Sequence, residues 1–390
     1  MGFSSEQCGK LLVENGYWAY YAFDTARNML LHQKPRNINI LTNADLGDLS
    51  KLFPDIIFSG DGYGQARLKN DGYSVQFYIS DLDADRMVYI PGLAEPEKEA
   101  LKKATSLTPF SINCFFYDIR KDIFYDPLDA YELLRKGVIN TNIPPRQAVK
   151  GFSTLALKTA LLFSETGFEV DPVLDQLLEG MSFVSGYRKI TKSMSSDLNR
   201  ILTSGRAYES LVLLNRWGVL DALLPEVTTL KKVNQDKDHH PEGNGFWHTM
   251  RCLRCVKKPN KNLMMAALLH DTGKATTFSR RKKHRLVFPD HSKVSREIAA
   301  RVLKRFHYSS GDIQEILFLV ENHMILGAVD RLPEKRQNMV FMSPYFPNLL
   351  ELYRADIESG YHHAGNYYHV SRLYREYLRK QKLREQGIYV

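Results

Sequence analysis

The chain has 390 residues, 44% of them hydrophobic and 25% charged, with a formal net charge of +9. This composition excludes a disordered or fibrous chain, and the length exceeds one ordinary core, so two or three domains are expected. No apolar run reaches about 18 residues and the first residues lack a basic stretch followed by an apolar one, so no membrane association and a cytoplasmic location are expected. The positive balance suits a polyanionic partner, although much of it lies in the run from 280 to 285 and in the tail from Arg372 to Arg384, where a solvated basic face serves as well. Four cysteines, at 8, 114, 252 and 255, form no disulfide framework in a chain of this size. Cys252 and Cys255 follow His248 on one helical stretch and read as buried thiols.

From the N-terminus, residues 7–27 read as a helix with apolar Leu11, Leu12, Trp18, Tyr21 and Ala22. Asn37-Ile38-Asn39-Ile40-Leu41 alternates as a strand does, Asp45 to Phe53 is helical, and Ala66 to Leu68 and Tyr73 to Ile79 alternate again. Ser111 to Asp118 gives a further strand, closed by a turn around Tyr125-Asp126-Pro127. A small mixed sheet with helices follows. From about 130 to 235 the pattern is helical: Leu128–Lys136, Val149–Thr166, Leu174–Met181, Ile190–Thr203, and Ala207–Trp217 ending at Gly218. No constellation there suggests chemistry.

The run Leu263-Met264-Met265-Ala266-Ala267-Leu268-Leu269 has no polar face and reads as a helix buried all round, yet His270 and Asp271 stand at its end. Unpaired charge is costly in such a place, so a cation is expected to compensate it, and a metal ion is the simplest candidate. Adjacent helix residues point apart, so both groups ligate only near a helix end or if the carboxylate bridges two ions. Further ligands are available at His248, His291, His323 and Asp356, one from each of several helices. Six imidazole and carboxylate groups exceed one tetrahedral zinc site and suit one or two divalent ions: manganese, iron, nickel, zinc or magnesium.

This ordered set, with Gly273-Lys274 behind the doublet, resembles the HD-domain phosphohydrolase superfamily. The lead-in His240-Pro241-Glu242-Gly243 with Trp247-His248-Thr249, and the later His291, Ser295, Ile298-Ala299 spacing, are similar to the version fused to bacterial CCA-adding enzymes and poly(A) polymerases. The resemblance implies an α+β protein: a small mixed-sheet nucleotidyltransferase-like head at 1–130, an all-α neck at 131–235, an all-α HD domain at 236–365 and a basic helical tail at 366–390. It also places His239 or His240 near the substrate, with surface solvation an equal reading.

In that family a Gly-Gly-x-x-Arg-Asp segment and an Asp-x-Asp pair on a strand hold magnesium and the incoming nucleotide. The aligned residues here are Phe23-Asp24-Thr25-Ala26-Arg27-Asn28 and Asn37-Ile38-Asn39, and Gln76 stands where a later strand carries a glutamate. An amide oxygen carries no charge, so a hard cation loses the ligands with which it would grip a triphosphate. The neck motif Glu-Asp-x-x-Arg aligns with Gly151-Phe152-Ser153-Thr154-Leu155 and has also lost its polar groups. An alternative register puts the acids at Asp81, Asp83 or Asp85. With Asn28, Asn37, Asn39 and Gln76 in place, the head is expected to be a pseudo-nucleotidyltransferase.

The function expected from this is a metal-dependent phosphohydrolase or phosphodiesterase. Its substrate would be an RNA end bearing a 2′,3′-cyclic or terminal phosphate, tRNA among the candidates, or a nucleotide. A metal-bound water has its pKa lowered from about 15.7 towards about 7 and so supplies hydroxide at neutral pH, Asp271 would hold the ions, and Lys274 would bind a phosphate oxygen. The alternatives are a non-catalytic RNA-binding protein and an active tRNA nucleotidyltransferase. Oligomeric state is not legible.

Overall fold

The computed structural model describes residues 5–35, 37–59, 65–70, 73–79, 95–151, 154–180, 189–234, 243–280, 286–360 and 365–386. Asp81, Asp83, Asp85, His239, His240 and the basic residues 281–285 lie outside the described residues. The chain forms two compact units, Met1–Leu155 with Phe168–Leu177, and Ala156–Gly167 with Leu178–Val390. Among the described residues no helix is long and apolar enough to cross a membrane.

Among the described residues the first unit is built on a seven-stranded sheet of β1 (Ala19–Ala22), β2 (Asn37–Thr42), β3 (Ile57–Ser59), β4 (Gln65–Asn70), β5 (Tyr73–Ile79), β6 (Phe116–Asp118) and β7 (Ile123–Tyr125), in the order β3-β4-β5-β2-β1-β6-β7. The β2–β5 pair is parallel and sets Asn39 opposite Gln76, while β1 runs antiparallel to both β2 and β6. Residues alternate between two apolar layers. Ala19, Ile40, Val75 and Phe77 pack under α1 (Ser5–Glu14) and α3 (Leu46–Leu52), and Tyr20, Ala22, Leu41 and Phe116 pack under α4 (Glu95–Thr105).

Two segments correct the periodicity reading. The stretch 7–27 is not one helix but α1, then β1, then α2 (Asp24–Leu30). Gly16, at φ +87°, turns the chain back, and Ala19 to Ala22 enter the middle of the sheet with both faces covered. A doubly buried strand carries no polar alternation, so helical spacing is mimicked. Likewise Ser111–Asn113 is a 3-10 turn, and only Phe116–Asp118 of that segment pairs as a strand.

Among its described residues the second unit is helical, as expected, save for the paired strands Ser279–Arg280 and Leu286–Val287. Its C-terminal part contains α5 (Gly245–Cys255), α6 (Lys261–Leu269), α7 (His291–Arg305), α8 (Ser310–Asn322), α9 (Phe346–Ser359) and α10 (Gly365–Glu385). Side-chain caps begin three of them: Asn244 accepts from the Trp247 amide, Asn260 from Leu263 and Ser309 from Asp312. In α6 every residue from Leu263 to Leu269 is buried, so this helix forms the middle of the unit and its end opens into the interior.

Candidate metal centre

The residues singled out in the sequence meet at that end. His270 and Asp271 follow α6 directly, His291 is the first residue of α7, His323 follows α8, and His248 and Asp356 project from α5 and α9. Two triads, His248–His270–Asp271 and Asp271–His291–His323, each present ligand atoms within 4.8 Å of one another, all from buried residues. Asp271 belongs to both. Its Oδ2 lies 3.3 Å from His270 Nε2 and 3.7 Å from His248 Nε2, while its Oδ1 lies 3.4 Å from His291 Nε2 and 3.7 Å from His323 Nε2. Asp356 joins the first triad, with Oδ1 2.9 Å from His248 Nε2 and 3.9 Å from His270 Nε2.

The orientation of the rings decides what they offer. Nδ1 of His270, His291 and His323 faces the carbonyl oxygen of Ala267, Phe288 and Val320 at 2.7, 2.9 and 2.7 Å. A carbonyl only accepts, so in each ring Nδ1 carries the proton and Nε2 keeps its lone pair for the centre. Two fully buried atoms, His270 Nε2 and Asp271 Oδ1, have no hydrogen-bond partner. Unsatisfied acceptors converging in a buried place fit a divalent cation, and the mixed imidazole and carboxylate set is that of a hard to borderline metal. The residues present therefore fit the metal the sequence called for.

Charge is arranged to match. Burial would raise the Asp271 carboxyl, but positive charge on His270, when that ring is protonated, and on Lys274 outweighs it and holds it well below the usual carboxylate range. Burial acts likewise on Asp356, and the hydrogen bond to His248 reverses it, so this carboxyl too is ionised. Desolvation lowers His323, favouring its neutral, ligating form. Lys274 reaches Asp271 Oδ2 at 2.6 Å, with its ammonium 5.6 Å from the centre of the Phe288 ring.

Sequence reasoning passed over three supporting residues. Gly273 lies so close to α7 that a Cβ there would stand 2.3 Å from the His291 carbonyl and 2.7 Å from the Ser295 amide. Ser295 Oγ accepts from the Gly273 amide at 2.8 Å, closing the Asp271 turn onto the helix that carries His291. Ser359 stands beside His248. Gly273 and Ser295 stand in the motif without a role that the sequence reveals, and Ser359 gives no signal in the sequence.

In the head, Thr25 Oγ1 accepts from the Asn39 amide at 2.9 Å and donates to the Asn37 carbonyl at 3.2 Å, which docks α2 on β2. Asn28 Oδ1 accepts from the Arg27 guanidinium at 2.9 and 3.1 Å, and Asn113 Oδ1 accepts from it at 2.6 Å. Phe23 holds φ 58°, ψ −130°, a backbone conformation that favours glycine, and its ring packs edge-on to Tyr78. Asn39 Nδ2 donates to the carboxylate of Asp24, so a carboxylate does stand beside β2.

Residues 248–356 match the family described as HD domain, a span that begins at the first proposed ligand and ends at the last. The A-adding tRNA nucleotidyltransferase of Deinococcus radiodurans is 26% identical over 250 residues, 60% of this chain and 55% of that protein. The CC-adding tRNA nucleotidyltransferase of Thermus thermophilus is 32% identical over 174 residues, 42% of this chain and 38% of that protein. The chain thus spans about half, or less, of the length of the curated relatives it matches. Among solved structures, the Bacillus stearothermophilus CCA-adding enzyme in complex with CTP superposes with a TM-score of 0.63 at 16% identity, covering 96% of this chain and 82% of that one, a likeness of fold.

These relatives correct the expected activity. They are named for nucleotide addition, so the readings of a hydrolase or phosphodiesterase and of a pseudo-nucleotidyltransferase head are withdrawn. The physical reason lies at Asn37 and Asn39. The expectation rested on the amides at Asn28, Asn37, Asn39 and Gln76 and gave Asp24 no role, whereas the fold brings the Asp24 carboxylate to Asn39 from the start of α2.

Proposed function

We propose that this chain, a homologue of the bacterial CCA-adding tRNA nucleotidyltransferases that carries an HD domain, transfers nucleotides from nucleoside triphosphates to the end of a tRNA. The observation that carries this reading is the Asp24 carboxylate hydrogen-bonded to Asn39 on β2, at the place where the family resemblance puts its metal-holding acids. One carboxylate with amide oxygens holds a hard cation more weakly than two carboxylates do, so a high magnesium or manganese requirement accompanies the activity. Arg27, fixed by Asn28 and Asn113, supplies positive charge beside the same segment. The four-part division into head, neck, HD domain and tail, and a cytoplasmic location, belong to this proposal.

Within it, His248, His270, Asp271, His291, His323 and Asp356 hold one or two divalent ions in the HD domain, with Lys274 beside them. A divalent ion there supplies concentrated positive charge for a phosphate group. The test is incorporation of labelled CTP and ATP into a tRNA lacking its terminal nucleotides, across a magnesium and manganese series. Incorporation that falls by about two orders of magnitude in Asp24→Asn and rises in Asn39→Asp is the expected result. No incorporation at any metal concentration overturns the reading.

A further inference from the structure

The sheet of the first unit carries a row of polar side chains that its apolar layers do not explain. Ile38 and Ile40 of β2, Val75 and Phe77 of β5, and Ala66 and Leu68 of β4 pack in the layer under α1 and α3. Alternation along each strand then sends Asn39, Gln76 and Arg67 to the opposite face, the one whose Leu41 and Tyr78 pack with α4. The register sets the three side by side. Asn39 stands opposite Gln76 in the parallel pair β2–β5, and Gln76 stands opposite Arg67 in the antiparallel pair β5–β4. Neighbouring strands lie about 4.8 Å apart, so the Cα atoms of Asn39 and Arg67 are about 10 Å from each other across the sheet.

The row runs from the interior to the surface. Asn39 is 7% exposed and donates to the Asp24 carboxylate, Gln76 is half-buried, and Arg67 is exposed. The end at Asp24 is therefore anionic and the open end cationic. Arg27, the guanidinium nearest Asp24 in sequence, is 1% exposed and its fork is engaged by Asn28 and Asn113 inside the fold. Arg67 also interacts with another group of the fold, but a guanidinium has five N–H donors and can keep such a contact while gripping a phosphate that arrives from solvent.

We propose that Arg67 binds the outer phosphates of the incoming nucleoside triphosphate, which lies across Gln76 with its other end toward Asp24 and Asn39. The inference rests on reading the head as a nucleotidyltransferase. A triphosphate spreads its charge over three linked phosphates, and a planar fork two strands away meets the far end of that chain with paired hydrogen bonds. A monophosphate lacks that end, so Arg67 distinguishes the two. The grip is the same before and during transfer, so it lowers KM and leaves kcat in place. An arginine that only keeps this face of the sheet solvated would be indifferent to the number of phosphates, which separates the two roles.

The experiment compares the full chain with Arg67→Ala and Arg67→Lys in two measurements. Calorimetric titration with CTP and with CMP, without tRNA and at one fixed Mg²⁺ concentration, is expected to show CTP bound about 10- to 100-fold more weakly by Arg67→Ala, the range for losing hydrogen bonds to a charged group, and CMP bound as by the parent. Arg67→Lys keeps the charge without the fork and is expected to fall between. Incorporation of labelled CTP into tRNA is expected to show a raised KM and an unchanged kcat in Arg67→Ala. Equal CTP affinity in the parent and Arg67→Ala overturns the proposal, and so does an equal loss for CTP and CMP or a parent that binds neither. If the parent binds CTP but incorporates nothing, the reading of the activity fails, while the CTP and CMP titrations still decide the role of Arg67.

Discussion

At position 273 a side chain of a single carbon would collide with backbone, since its Cβ would stand 2.3 Å from the His291 carbonyl oxygen. Backbone cannot rotate away as the tip of a flexible side chain can, so the turn carrying Asp271 would have to lift from α7. Gly273→Ala is therefore expected to destabilise the protein by about 1–3 kcal/mol, the usual cost of overpacking, and to weaken Mn²⁺ binding at least tenfold. A melting curve and a metal titration on the same preparation check both, and normal Mn²⁺ affinity would refute the link between this glycine and the site. At this scale the ligands were legible and their supports were not. His270 and Asp271 stood out because polar groups at the end of a wholly apolar run demand an explanation. Ser359 did not, since a serine at a helix end is unremarkable until its neighbour from another helix is seen. Asp24 carries no assigned role in the sequence for a similar reason: its sequence distance from Asn39 conceals a hydrogen bond between them.

Elements converge on the site because their starts are fixed. The first residue of α6, Lys261, reaches Asp312 in the first turn of α8 at 2.7 Å, and Asp312 also accepts from Ser309, the cap of α8. Burial would raise the Asp312 carboxyl, but the Lys261 ammonium and the Ser309 hydroxyl pull it down to about 2. A carboxyl whose folded pKa lies below its unfolded one stabilises the fold above the ordinary carboxylate range, and that share is lost as pH falls through about 2. Asp312→Asn should accordingly cost about 1 kcal/mol at pH 7, after allowance for solvent screening, and progressively less on acidification. Urea midpoints of both proteins at neutral and acid pH would show the gap closing; a constant gap would rule the ion pair out as its source. The element misread from sequence, β1, shows the opposite situation. Its four residues, Ala-Tyr-Tyr-Ala, sit between β2 and β6, and those neighbours fix the extended form that the two tyrosines favour only weakly by themselves.

Over the whole molecule, the proposed ligands all belong to the second compact unit, whereas Asp24 and Asn39 belong to the first. Binding to the folded form alone stabilises by about 2.7 kcal/mol when free ion exceeds its dissociation constant a hundredfold. Added Mn²⁺ should thus raise the unfolding temperature of the second unit more than that of the first, where a single carboxylate holds a cation weakly, and Asp271→Asn, which alters the group shared by both triads, should abolish the shift of the second unit. Calorimetry with Mn²⁺ and with a chelator measures this, and an equal shift of both transitions would contradict it. The sequence by itself determined the α+β class, the helical C-terminal half and the choice of candidate metal-binding side chains, because periodicity and misplaced polarity are local signals. Tertiary structure alone decided that six groups spread from His248 to Asp356 meet in one cluster, which lone pairs face it, and that a carboxylate stands beside Asn39. Those facts depend on contacts between residues far apart in the chain, and no local pattern encodes them.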